Sequence, residues 1–169
     1  ASEWINSAAE EEISSVLYKY GDEKASRKIA KAIVRFRESD RLESTQQLVQ
    51  VIETVLKRVG RTHPATKTFQ AIRIHVNNEL NHLEMALSKI SNILKINGMI
   101  VIISFQSLED RIVKNFFKPE IYSLPKDIPL NNTIEEKFKC LKKKVKPSAE
   151  EVARNPRSRS AVMRVFTKL

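Results

Sequence analysis

Two adjacent carboxylates, Glu109 and Asp110, open a helix-like segment directly after the apolar run Met99 to Phe105. Functional groups of α/β enzymes gather at the carboxyl ends of strands. That makes this pair, flanked by Ser104 and Gln106, a candidate active-site edge. A plainer reading stands beside it, because acids are favoured in a first helical turn, where they offset the positive pole and cap free amides. A second candidate set is polar. If residues 66 to 77 are helical, Thr66, Gln70, Arg73 and Asn77 fall in an arc of about 60° beside an apolar stripe, with Lys67 in the same segment. Amides and a guanidinium grouped in this way can read base edges and phosphates. They can equally form a polar seam that satisfies helix ends.

The third feature is charge. The 169 residues carry 30 Lys and Arg against 20 Asp and Glu, a formal net charge of +10. Residues 1 to 110 hold 15 basic and 14 acidic side chains, whereas residues 111 to 169 hold 15 and 6, so the second part carries +9. Lys137, Lys139, Lys142, Lys143, Lys144 and Lys146 crowd together, followed by Arg154, Arg157, Arg159 and Arg164. Such clusters mean either polyanion binding or a solvated surface in a lysine-rich protein. Residues 22 to 38, read as a helix, place Lys24, Arg27, Lys28, Lys31 and Arg35 within roughly 100°, with Ala25, Ile29, Ala32, Ile33 and Phe36 on another face. An ordinary amphipathic helix mixes signs on its polar side, so this one-sign stripe favours phosphate.

Other chemistries find less support. His63, His75 and His82 are the only imidazoles. A metal shared by the last two would need Glu79 aligned with both, and exposed or capping histidines are the simpler reading, so no metal site is assigned. The single cysteine, Cys140, provides neither a disulfide framework nor a thiolate cluster, which fits a reducing, cytoplasmic setting. Gly21, Gly60 and Gly98 are the only glycines, so no Gly-rich turn exists to cradle a nucleotide phosphate. Asn155-Pro156 lacks the second proline and the aromatic of the loop that amino-group methyltransferases use. No serine or cysteine nucleophile has a recognisable base, and catalytic residues stay unassigned. The longest apolar run, Met99 to Ile103, is too short to cross a bilayer, and no secretory signal opens the chain.

The elements that must position these residues are mostly helices. Ser7 with Glu10 reads as a capping box for a helix ending at Gly21. The second helix spans about Asp22 to Glu38. The third starts at Ser44, with Gln47 at the capping-box position, and runs to Gly60. After Pro64 the stripe Phe69, Ile72, Val76, Leu80 and Leu83 continues to Asn97-Gly98 as one long helix or two in series. Met99 to Phe105 reads as a strand buried on both faces of a parallel sheet. Ser107 with Asp110 opens a helix to about Lys118. Residues 119 to 132, with three prolines, form a loop, followed by short helices at about Thr133 to Lys144 and Ser148 to Arg154. Ser160 to Thr167 alternates as a final strand. Two strands cannot make such a sheet, so we expect its remainder, and the start of a longer chain, to precede Ala1.

With those residues in view, the chain resembles the bacterial RsmH (MraW) family, which methylates N4 of a cytidine in 16S ribosomal RNA using S-adenosylmethionine. The resemblance rests on His63-Pro64-Ala65-Thr66-Lys67-Thr68-Phe69-Gln70-Ala71-Ile72-Arg73-Ile74 with Val76-Asn77 and Glu79-Leu80. It continues through Ile103-Ser104-Phe105, Ser107-Leu108-Glu109-Asp110-Arg111-Ile112-Val113-Lys114 and Asn155-Pro156-Arg157-Ser158-Arg159-Ser160. Trp4-Ile5-Asn6 and Gly21-Asp22-Glu23 extend it towards the start. Gln106 stands where the family usually has histidine, and Lys67 where arginine is common, which weakens roles that need an imidazole or a bidentate guanidinium there.

The resemblance implies an α/β fold: the C-terminal part of a class I, Rossmann-like methyltransferase sheet with a mostly α-helical insertion domain. Residues 1–78 would be the helical, RNA-holding insertion and 79–169 the returning part of the methyltransferase domain. The family's cofactor loop would lie upstream, so S-adenosylmethionine would be held by the missing N-terminal part and this chain alone would be inactive. Arg27, Lys31, Arg35, Thr66, Lys67, Gln70, Arg73 and Asn77 would face RNA. The implied partner is 16S ribosomal RNA or the small ribosomal subunit, with no membrane and with a homodimer left open. The rival reading is a non-enzymatic helical RNA-binding or ribosome-associated protein, favoured by the basic tail.

Overall fold

The computed structural model describes residues 1–57, 63–118 and 137–169. These divide into two compact units, Ala1–Glu79 and Leu80–Leu169.

The first unit contains α1 (Ser2–Ser7), α2 (Glu10–Gly21), α3 (Ser26–Arg37), α4 (Thr45–Val55) and α5 (Thr66–Val76). Ile13, Leu17, Ile29, Ile33, Ile52 and Ala71, one face from each of α2 to α5, are fully withdrawn from water and form one core. Glu10, Glu11 and Glu12 sit in the first turn of α2, where acids offset the helix pole. The Ser7–Glu10 capping box does not form. Ser7 ends α1, its hydroxyl donates to the Glu3 carbonyl at 2.9 Å, and extended backbone at Ala8 and Ala9 separates the two helices. That break turns α1 so that Ile5 and Ala8 enter the same core as Ile13 and Leu17. The Ser44–Gln47 capping box of α4 is present in both directions, while Gly60 lies outside the described residues.

Gly21 is where α2 meets α5. A Cβ there would lie 2.6 Å from the Lys67 carbonyl oxygen and 3.2 Å from the Ala71 Cβ. Replacing it forces backbone apart, which costs about 1 to 3 kcal/mol when a packed site cannot yield. Gly21→Ala should therefore lower the urea midpoint of the first unit. An unchanged midpoint would mean that α2 and α5 separate without cost.

The pattern after Pro64 resolves into two helices, α5 and α6 (Glu79–Ile93), divided at Asn77 and Asn78, the latter in the left-handed region at φ 51°. The second unit continues with β1 (Met99–Ser104), α7 (Ser107–Phe116), β2 (Phe138–Val145), α8 (Ala149–Arg154), a 3-10 turn at Pro156–Ser160 and β3 (Val162–Lys168). The sheet order is β1-β3-β2, and both pairings are antiparallel. Two expectations are corrected by this. There are three strands rather than two among the described residues, and residues 138–144 are strand rather than helix; the partner of β1 there, β3, runs antiparallel to it. Pairing with β3 overrides the helical preference of the lysines, because Phe138 and Cys140 alternate into the core beside Phe166. Nor is β1 buried on both faces. Ile100 is buried beside Phe166, but Met99, Val101 and Ile103 are exposed on the other face. Loop residues 119–132 lie outside the described residues.

The core of this unit is aromatic. Phe117 stacks on Phe166 with ring centres 4.1 Å apart and meets Phe138 edge-on at 5.0 Å. Lys168 donates its ammonium to the Ser91 and Leu94 carbonyls at 2.8 and 2.9 Å, closing the open end of α6 onto β3.

Candidate nucleic-acid interface and strand-end carboxylates

α3 begins at Ser26, so Lys24 falls outside it, whereas Arg27, Lys28, Lys31 and Arg35 all stand exposed along it. Lys28, Lys31 and Arg35 line a groove of about 520 Å3 with Phe36, Ser39 and Thr54. Three cationic side chains lining one groove, with no acid among its lining, suit a phosphodiester chain.

The polar set on α5 separates into two functions. The Lys67 ammonium donates to the Asp22 carbonyl at 2.9 Å, where Asp22 ends α2 in the left-handed conformation at φ 48°. Its charge therefore caps a helix. Arg73 grips Glu79 through two bonds of 2.9 and 3.2 Å, and the Asn77 amide donates to the same carboxylate at 3.3 Å. Arg73 and Asn77 also line an apolar cleft of about 440 Å3 with Phe69, Ile72 and Val76 of α5, the start of α4, and α1. Thr66, Lys67 and Gln70 do not line that cleft, so the arc drawn from sequence is divided: Thr66 is exposed and Gln70 half-buried elsewhere on the helix.

Neither strand-end carboxylate is idle. The Phe105 and Gln106 amides donate to one oxygen of Glu109 at 2.9 and 3.2 Å, so Gln106, not Ser107, occupies the cap position of α7. Asp110 forms a two-bond pair with Arg164 of β3, at 2.7 and 2.8 Å, and Arg164 also donates to the Lys143 carbonyl. The Arg164 hydrogen bonds hold the Asp110 carboxyl below the usual carboxylate range, against burial, with Lys144 and Lys114 adding to the effect. Ser104 is buried at the end of β1. Arg164, grouped with the surface arginines in the sequence reading, is thus an internal anchor. The signal for it was its place between Val162 and Phe166 on one face of an alternating strand.

His63 accepts from the Ala65 amide at 3.2 Å and faces Glu53 at 3.3 Å, while His75 lies 4.7 Å from the Trp4 ring and 3.8 Å from Glu12. The Trp4–His75–Glu12 cluster joins residues too far apart in sequence to be read from spacing. Among the described residues no three His, Cys, Asp or Glu side chains come together as metal ligands.

The glycines and strand-end carboxylates among the described residues do not form a site for S-adenosylmethionine, the cofactor implied by resemblance. Gly21 is packed against α5 and Gly98 turns against Lys95, and Glu109 and Asp110 are already engaged, so none of these four is free to hold a nucleoside.

The sequence profile of the MraW methylase family matches residues 1–169. The chain is 44% identical to the ribosomal RNA small subunit methyltransferase H of Rickettsia typhi over all of its own length and 58% of that protein. It is 46% identical to that of Coprothermobacter proteolyticus over 99% of its own length and 52% of that protein. With that of Rickettsia bellii it shares 47% identity, over 100% of itself and 58% of the relative. The chain therefore spans a little more than half the length of the curated relatives it matches. A family match that spans residues 1–169, the range holding the α3 stripe, the Arg73 cleft and the Arg164–Asp110 anchor, decides the family: the chain belongs to the MraW methylase family.

Proposed function

We propose that this chain is the RNA-holding and sheet-completing part of an enzyme that transfers a methyl group from S-adenosylmethionine to N4 of a cytidine in 16S ribosomal RNA. The observation that carries the reading is the family match over all 169 residues. Three features support it. The first unit presents a one-sign cationic groove on α3 and a cleft edged by Arg73 and Asn77. The outer edge of β1 has no partner among the described residues, and the apolar side chains of Met99, Val101 and Ile103 stand exposed beside it, as expected of a strand that further sheet and helix would cover. Gly21, Gly60 and Gly98 are the only glycines of the chain, too few and too scattered for a phosphate-cradling turn, which supports assigning cofactor binding to sequence outside it. In this reading the first unit is the helical insertion and the second the returning part of a Rossmann-like sheet, and the protein works in the cytoplasm on the small subunit.

The exocyclic amine of cytosine is a poor nucleophile because its lone pair is delocalised into the ring. Orientation of the base and an acceptor for the amine proton therefore matter more than nucleophile activation. This chain's contribution is the first of these, holding the RNA so that one base stays in place.

A protein of the relatives' full length should transfer labelled methyl from S-adenosylmethionine to small-subunit RNA, with the label recovered as N4-methylcytidine. Residues 1–169 alone should show no cofactor binding by titration calorimetry. Label on another base would overturn the substrate assignment, and saturable micromolar binding by the chain alone would overturn the division of labour.

A further inference from the structure

Strand β2 breaks the alternation that a strand imposes. Cys140 pairs with Phe166, but Leu141 is an extra residue before Lys142 meets Val165, and Lys143 and Lys144 together oppose the single residue Arg164 before Val145 meets Met163. In an unbroken strand, neighbouring side chains point to opposite faces, so one of two consecutive lysines would be driven towards the core. With these two irregularities Lys142, Lys143 and Lys144 are all exposed, as are Lys139 and Lys146 on either side. None of the five makes an ion pair with an acid among the described residues. The bulge is held from within, where Arg164 donates to the Lys143 carbonyl while its other nitrogens grip Asp110. On its outer side β2 has no strand neighbour among the described residues.

We infer that this bulged edge is a phosphate-binding surface, with Lys142, Lys143 and Lys144 contacting the backbone of the RNA. The inference rests on the ribosomal RNA reading above and adds to it a contact in the second unit. Bulges commonly re-aim side chains at functional places, and this one is braced by the half-buried Arg164–Asp110 pair. Ammonium groups on flexible stems suit phosphates, whose positions vary along a chain, better than they suit a planar carboxylate. The exposed apolar side chains beside them on β2, Leu141 and Val145, are aliphatic and offer no ring for a base to stack on, so the contact is with backbone and not with bases. An acidic peptide would have to add as a strand along an edge where a lysine run opposes pairing. The competing account is that the lysines only guard that edge against other strands.

The experiment compares the chain with its Lys142→Gln/Lys143→Gln/Lys144→Gln variant in binding small-subunit ribosomal RNA across a salt series. Three phosphate contacts at about 0.7 each make the log–log slope shallower by about 2, and they lower affinity about 30-fold at 0.2 M salt. The substitutions are exposed, and an unchanged melting temperature shows that the fold is kept. Equal affinity and slope, with stronger light scattering by the variant, assign the lysines to guarding the edge and overturn the inference. Absence of RNA binding by the unaltered chain overturns it as well. An Arg27→Ala/Lys31→Ala/Arg35→Ala variant is measured in parallel. If it alone loses affinity, the RNA reading stands while the β2 contact falls; failure of methyl transfer by the full-length protein removes the reading itself.

Discussion

Asp110→Asn should destabilise the second unit by about 3 to 5 kcal/mol, because it leaves the Arg164 guanidinium buried without its counter-charge. The Arg164 side chain is only 11% exposed and that of Asp110 22%, so neither end of the pair is well solvated. Urea denaturation followed by aromatic fluorescence or circular dichroism reads the loss. The double variant Asp110→Leu/Arg164→Met should recover most of it, since removing both charges also removes the desolvation burden. A single variant as stable as the original would show that water reaches the pair freely. The pH dependence has a definite sign. The folded carboxyl binds its proton less readily than the unfolded one. The stabilisation is therefore complete above the ordinary carboxylate range and drains away as the pH falls through the lowered folded value. Asp110→Asn should flatten that acid limb of the stability curve.

Under the proposed function, in which Arg73 helps to hold the target base, Arg73→Ala should lower methyl transfer by the full-length protein about 100-fold or more, because misplacing a reacting base by about 1 Å costs that much. Its stability should hardly move. The Arg73 side chain is 56% exposed, and solvated pairs of this kind contribute about 0 to 1 kcal/mol. Melting temperature and methyl transfer measured on the same preparation separate the two roles. A large fall in melting temperature with parallel loss of activity would make Arg73 a structural residue. Glu79→Gln supplies a second readout: it keeps the shape but loosens the two-bond grip, so it should raise the RNA concentration needed for half-maximal rate more than it lowers the maximal rate. Equal effects on both would remove Glu79 as the positioning residue.

How much was legible from sequence depended on distance along the chain. The Ser44–Gln47 cap of α4 and the helix stop at Gly21 were readable because both partners lie within a few residues. β1 and β3 were readable from their β-branched and alternating patterns. Strand β2 was not, since its lysines favour helix in isolation and only Phe138 and Cys140 show the alternation. Antiparallel pairing was invisible because Met99 meets Thr167 only after the chain has returned. The same limit governed the candidate site. The Arg73–Asn77 neighbourhood could be drawn on a helical wheel, whereas Lys67 reaching Asp22 and Asp110 reaching Arg164 join residues 45 and 54 apart. Each of these pairs gives a candidate ligand residue a structural partner.

The sheet order has a consequence for synthesis. β3 lies between β1 and β2, yet the ribosome makes it after both. Until it emerges, the two strands lack the neighbour they share, Phe117 lacks the ring it stacks on, and the end of α6 lacks Lys168. The described residues of the first unit end at Glu79, so its core can close while the second is still being translated. At about 5 to 20 residues per second, the ninety residues from Leu80 to Leu169 leave an interval of roughly 5 to 18 seconds. During that interval the nascent chain already carries the cationic groove of α3, while the edge of β1 that will pair with β3 stays open.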